Sequence, residues 1–101
     1  NILYFFSDTK ECPDCDKQAF VLTYLKKRFK DKLLIFSFDS KFEQEQMVSL
    51  LKNTYGISKF PTIVVEGKPK TGFQTKEAIL KDICPSYREK PEDCIQNGIL
   101  S

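Results

Sequence analysis

Cys12-Pro13-Asp14-Cys15 is the stretch on which the reading of this chain turns. An apolar run, Ile2-Leu3-Tyr4-Phe5-Phe6, and a polar turn from Ser7 to Glu11 precede it. Helical patterning follows it, from Pro13 to about Lys30. Two cysteines three positions apart at the start of a helix lie about one turn from each other, close enough to be a disulfide or two neighbouring thiols. A helix N-terminus carries unpaired N–H groups and a partial positive charge. Both favour a thiolate on Cys12, which this placement makes the more exposed of the two. Pro13 suits a first helical turn, where a missing N–H costs nothing. Strand, turn, CxxC and helix in that order is the sequence form of a dithiol/disulfide redox site.

The rest of the composition narrows the alternatives. At 101 residues the chain makes one domain with a modest core. No run of eighteen apolar residues exists, so no segment reads as a membrane-spanning helix. The net charge is +2, and lysines are scattered rather than grouped with aromatics, so no nucleic-acid partner is expected. There are no histidines, which excludes Cys–His and Ser–His catalysis and every His-containing metal site. Helix termini and nearby lysines remain as ways to activate a thiol. The chain opens at Asn1 without an initiator Met. That reads as a processed or excised domain, with room for a signal peptide or a membrane anchor ahead of it.

Along the chain, residues 2–6 suit a strand buried on both faces. In the first helix Val21, Leu25 and Phe29 form a stripe, widened by Ala19, Phe20, Leu22 and Tyr24. Lys26, Lys27, Arg28 and Lys30 read as a solvated helix end matched to the dipole. Leu33 to Phe38 reads as a second buried strand, giving a βαβ unit with parallel strands. Ser40 with Glu43 fits a capping box for a helix from Lys41 to Tyr55, with Met47, Leu51 and Tyr55 on its stripe and Gly56 as its stop. Ile63-Val64-Val65, a turn at Gly67-Lys68-Pro69-Lys70 and Thr71-Gly72-Phe73 read as a hairpin. Thr75 can cap a last helix, Lys76 to Ile83. The segment from Cys84 to Ser101 has two prolines and little periodicity.

That element order, β-α-β-α-β-β-α with CxxC opening the first helix, resembles the thioredoxin fold, an α/β fold with a central four-stranded mixed sheet. The resemblance extends to Tyr55-Gly56-Ile57-Ser58-Lys59-Phe60-Pro61-Thr62 and the β-branched run after it. In thioredoxin-like proteins the proline of this segment is cis and lies opposite the CxxC. The resemblance covers residues 1–83, with 84–101 as a tail. It implies an enzyme, a disulfide oxidoreductase without cofactor or metal, in which Cys12 is the nucleophile and Cys15 resolves the mixed disulfide. Phe60, Pro61, Pro13 and Asp14 would meet the substrate, and Phe60 would offer backbone groups to an extended chain. The sequence departs from typical thioredoxins in three places. Glu11 stands where they have Trp, residues 2–6 offer no buried Asp, and Pro-Asp replaces Gly-Pro between the cysteines. Cys-Pro-x-Cys is similar to glutaredoxins, and Cys-Pro-Asp-Cys to small thioredoxin-related proteins. No glutathione-binding signature is present.

The expected chemistry is thiol–disulfide exchange with protein or small-molecule disulfides and dithiols, reset by an upstream reductase or oxidase. Asp8, Glu11, Asp14 and Asp16 place negative charge near Cys12, and Lys10 and Lys17 offset it in part. That balance points to a reductase or exchange role rather than a strong oxidant. Cys84 and Cys94 have no redox spacing and read as a structural disulfide, worth about 3 kcal/mol by loop closure. Such a bridge implies an extracytoplasmic setting. Four cysteines still allow three connectivities, and a four-cysteine zinc site would require Cys84 and Cys94 to reach the first helix. A monomer is expected. The rival reading is an interaction module in which redox turnover is incidental, with Phe73 and Tyr87 on its surface.

Overall fold

The computed structural model describes residues 1–42 and 45–96. Four strands and four α-helices lie among the described residues. They are β1 (Ile2–Phe6), α1 (Cys15–Phe29), β2 (Ile35–Asp39), α2 (Gln46–Tyr55), β3 (Thr62–Val65), β4 (Lys68–Thr71), α3 (Lys76–Ile83) and α4 (Glu92–Gln96). The sheet order is β2-β1-β3-β4. β1 is parallel to β2 and antiparallel to β3, and β3 is antiparallel to β4. A mixed four-stranded sheet with this order and connectivity is the thioredoxin-like fold.

β1 is central, and its alternation assigns the two faces. Ile2 and Tyr4 join Leu22, Leu25, Phe29, Ile79, Leu80 and Ile83 in the larger core beneath α1 and α3. Phe5 joins Ile57 and Val64 on the other face, with Leu51 and Tyr55 of α2 packed against them. The Phe5 and Phe38 rings stack there at 5.2 Å.

Several expectations needed correction. α1 buries Cys15, Gln18, Leu22, Leu25 and Phe29. Its stripe is therefore rotated from the expected one, with Val21 only partly buried and Phe20 77% exposed. Cys15 and Gln18 begin this buried face, where Gln18 is held by Gln74. β2 is not a buried strand, because the sheet order leaves it at an edge; Leu34 and Phe36 are about half exposed. α2 begins at Gln46 rather than Lys41, and Met47 faces outward while Val48 is buried. Of the proposed capping box, Glu43 lies outside the described residues. The hairpin turn is Glu66-Gly67, with φ of 51° and 78°, so β4 starts at Lys68. A two-residue loop with both φ positive matches the twist of its strands. Pro69 then sits on an edge strand, where its missing N–H is harmless.

Gly56 and Thr75 act as their local sequence predicts. Gly56 at φ 63° closes α2, with the Ile57 N–H donating to the Lys52 carbonyl at 2.8 Å. Thr75 caps α3, its hydroxyl accepting the Ala78 N–H at 3.1 Å. The basic end of α1 makes specific contacts rather than only meeting solvent. Lys26 Nζ donates to the carbonyls of Lys30 and Leu33 at 2.9 and 2.6 Å, and Arg28 pairs with Asp93 at 2.8 Å.

These burials predict an asymmetry between neighbouring helical positions. Leu25→Ala should cost about 2–5 kcal/mol in denaturant unfolding, while Phe20→Ala should stay within about 0.5 kcal/mol. Equal losses would place α1 in a different rotation.

Candidate active site

The antiparallel register of β1 and β3 pairs Phe5 with Thr62. The residues that follow β1 and those that precede β3 therefore meet at one end of the sheet. From β1 the chain enters Ser7–Glu11 and then the two cysteines; Pro61 stands immediately before β3. The Phe60–Pro61 peptide is cis, and Pro61 is buried. The Pro61 carbonyl accepts the Gly72 N–H at 2.8 Å, and among the described residues no backbone hydrogen bond involves Phe60.

Cys12 and Cys15 form a disulfide, with Cα atoms 5.3 Å apart. Cys12 lies in the turn ahead of α1, and Cys15 is the first residue of the helix. Pro13 is thus outside the helix rather than in its first turn. Asp14 stands at the N-cap without a side-chain cap bond. The Cys15 N–H points to the Cys12 carbonyl at 3.2 Å, and the Gln18 N–H to that of Asp14 at 2.9 Å. Cys12 is 0% exposed and Cys15 4%, so Cys12 is not the more open of the two in this disulfide form. Pro13 and Asp14 between them are exposed.

The turn before Cys12 is closed by side chains. Asp8 accepts the Cys12 N–H through its carbonyl at 2.8 Å and the Glu11 N–H through Oδ1 at 3.0 Å. Ser7 Oγ donates to Glu11 Oε2 at 2.9 Å. Lys41, from the loop after β2, pairs with Asp8. That ammonium, then the Glu11 N–H, holds the Asp8 carboxyl below its ordinary value.

Behind the cysteines, α1 is pinned to its surroundings by two buried polar groups, Gln18 and the Tyr4 hydroxyl, whose bonds no local sequence signal announces. Gln18, fully buried, donates to the Gln74 carbonyl at 3.2 Å and accepts its N–H at 2.7 Å. The Tyr4 hydroxyl donates to the Cys15 carbonyl at 2.8 Å. Burial, and then the nearby Asp16 charge, push the Tyr4 phenol up to about 12. A cleft of about 600 Å³ opens beside Cys15, between Tyr4, Ser7, Asp8, Asp16 and Ser37. The carboxylates facing this cleft belong to Asp8 and Asp16, both exposed residues.

The second pair is separate. Cys84 and Cys94 form a disulfide and are both fully buried in the larger core with Phe29 and Leu33. Arg28 binds Asp93, beside Cys94, so this bridge sits at the far end of α1. The fifteen residues of α1 put about 20 Å between its ends. The four sulfurs therefore do not converge on one ion. Tyr87 is only partly exposed; its ring lies 5.7 Å from that of Phe29 and its hydroxyl donates to the Lys32 carbonyl at 2.6 Å. Phe73 is partly buried beneath the Lys17 ammonium, 4.9 Å from its ring centroid.

No protein-family model matches this chain, and no curated protein matches it. Among solved structures, it is similar to a crystal structure of a mutant of a thioredoxin-like protein. The two share 25% identity over 73% of this chain and 88% of the other, with a TM-score of 0.48. The fold assignment stands on the strand order and register described above.

The Asp8 tie has a pH signature. A carboxyl whose folded pKa is depressed contributes stability above its unfolded pKa and loses it as pH falls through the folded value. NMR titration should show Asp8 protonating below the usual carboxylate range, with exchange of the Cys12 amide accelerating only beneath that point. An Asp8 that protonates at or above the usual range would contradict the geometry.

Proposed function

We propose that this chain is a thiol–disulfide oxidoreductase acting on protein disulfides, with Cys12 as nucleophile and Cys15 as resolving thiol. The observation that carries the reading is the placement of a bonded CxxC pair at the mouth of α1, on the same end of the sheet as Pro61. In the reductive direction, Cys12 thiolate attacks one sulfur of a substrate disulfide. A mixed disulfide forms, and the other substrate sulfur leaves as a thiolate. Cys15 loses its proton and attacks the Cys12 sulfur, closing Cys12–Cys15 and releasing the second substrate thiol. Two electrons pass from protein to substrate. An upstream dithiol reductase restores the pair, and the reverse sequence oxidises a substrate dithiol.

Phe60, Pro61, Pro13 and Asp14 are the proposed substrate contacts. Pro13 and Asp14 are exposed beside the disulfide. The Phe60 backbone, without a partner among the described residues, offers main-chain groups to an extended polypeptide. The Cys84–Cys94 bridge takes no part in the chemistry on this reading and braces the core at the other end of α1.

Paired serine variants separate the roles. Cys12→Ser should reduce disulfide-reductase turnover to the uncatalysed rate. Cys15→Ser should instead accumulate a mixed disulfide between Cys12 and substrate, visible as an intact-mass adduct. Retained function in Cys12→Ser would favour an interaction module over an enzyme.

A further inference from the structure

The sequence surrounds Cys12 with more carboxylates than cations, yet the fold brings another cation from thirty residues away. Lys41 belongs to the loop between β2 and α2. Its ammonium pairs with Asp8 and lies 3.8 Å from Glu11 Oε1. These are the two acids whose other bonds shape the turn carrying Cys12. Lys41 is itself held, its N–H donating to Asp39 Oδ1 at 3.0 Å. The neighbouring Ser40 N–H donates to the Phe6 carbonyl at 2.9 Å, tying this loop to the end of β1. One side chain thus joins the two loops that follow the parallel strands.

We propose that Lys41 is a positioning residue for the dithiol, clamping the Ser7–Glu11 turn and offsetting the charge of Asp8 and Glu11 beside Cys12. The proposal rests on the oxidoreductase reading and deepens it. Through geometry, Lys41 fixes Asp8, whose carbonyl receives the Cys12 N–H. Through charge, it supplies a cation against the carboxylates of the site. In sequence, Asp8, Glu11, Asp14 and Asp16 flank Cys12, with Lys10 and Lys17 among them; Asp39 accepts the Lys41 N–H, and the Lys52 ammonium of α2 donates to the Ser40 carbonyl at 3.5 Å. A better-balanced site favours the Cys12 thiolate, and hence the reduced dithiol relative to the disulfide. The Lys41 and Asp8 side chains are 49% and 42% exposed, so salt should weaken the charge effect.

The test uses the full chain with Lys41→Met and Lys41→Arg. Thiolate absorbance of the chemically reduced protein reads the Cys12 pKa, and a glutathione series reads the dithiol/disulfide equilibrium. Lys41→Met should raise the Cys12 pKa by roughly half a pH unit, about a threefold loss of thiolate below it. At a pH above the Cys12 pKa the dithiol/disulfide equilibrium should move toward the disulfide by a similar factor. Lys41→Arg should restore both, and high salt should shrink the difference. If Lys41→Met lowers only the melting temperature and leaves pKa and equilibrium unchanged, Lys41 is a loop brace and the proposal fails. A wild-type pair that does not exchange with glutathione would overturn the oxidoreductase reading instead, while the pKa of the reduced protein would still decide the role of Lys41.

Discussion

The pairing of β1 with strands on both sides is the constraint from which the site follows. Parallel pairing with β2 matches Phe6 with Asp39, so the loops after both strands emerge at the same end. Antiparallel pairing with β3 matches Phe5 with Thr62, which brings the start of β3 to that end as well. Three loops that are distant in sequence thereby meet: Ser7 to Asp14, Ser40 to Phe42, and the segment before Thr62. A slip of one residue would turn Ile2 and Tyr4 toward the wrong helix layer and remove the Tyr4 bond to Cys15. The burial that secures the register also locates the candidate site.

α1 ties this end to the opposite one. It starts at the Cys12–Cys15 disulfide and finishes beside Cys84–Cys94. Between them Leu22, Leu25 and Phe29 bury against the sheet, and Gln18 spans to the chain after β4. Gln18 is the informative member. A buried amide is tolerated only when its donors and acceptor are used, and here it both gives to and takes from Gln74. The helix that carries Cys15 is thus fixed in rotation by a directional contact as well as by apolar packing. At its far end Arg28, Tyr87 and Lys90 fasten the last described residues through charge-assisted and carbonyl contacts.

Much of this was legible in the sequence, for reasons that can be stated. β1, α3, Gly56 and Thr75 are specified by local chemistry: continuous apolar residues, a capping hydroxyl and an αL stop. The CxxC pair and Pro61 are local motifs, and the element order supplied their relation. What escaped depended on partners distant in the chain. The α1 stripe was misphased because Phe20 and Tyr24 are apolar enough to look buried, while Gln18 looks like a surface residue; counting from Cys15 would have found the stripe. β2 looked buried because its edge position depends on sheet order, not composition. The burial of Cys12 comes from the turn wrapped over it, and Lys41 carries no signal in a window of sequence. Its importance arises only when two loops meet.

On the oxidoreductase reading, Cys12–Cys15 is the working disulfide and Cys84–Cys94 a brace. A redox titration of the whole protein against glutathione, with differential alkylation and peptide mass analysis, tests it directly. Cys12 and Cys15 should open together across the series while Cys84 and Cys94 remain bonded. A pair at Cys12/Cys15 that stays closed, or both pairs opening at the same potential, would contradict that reading.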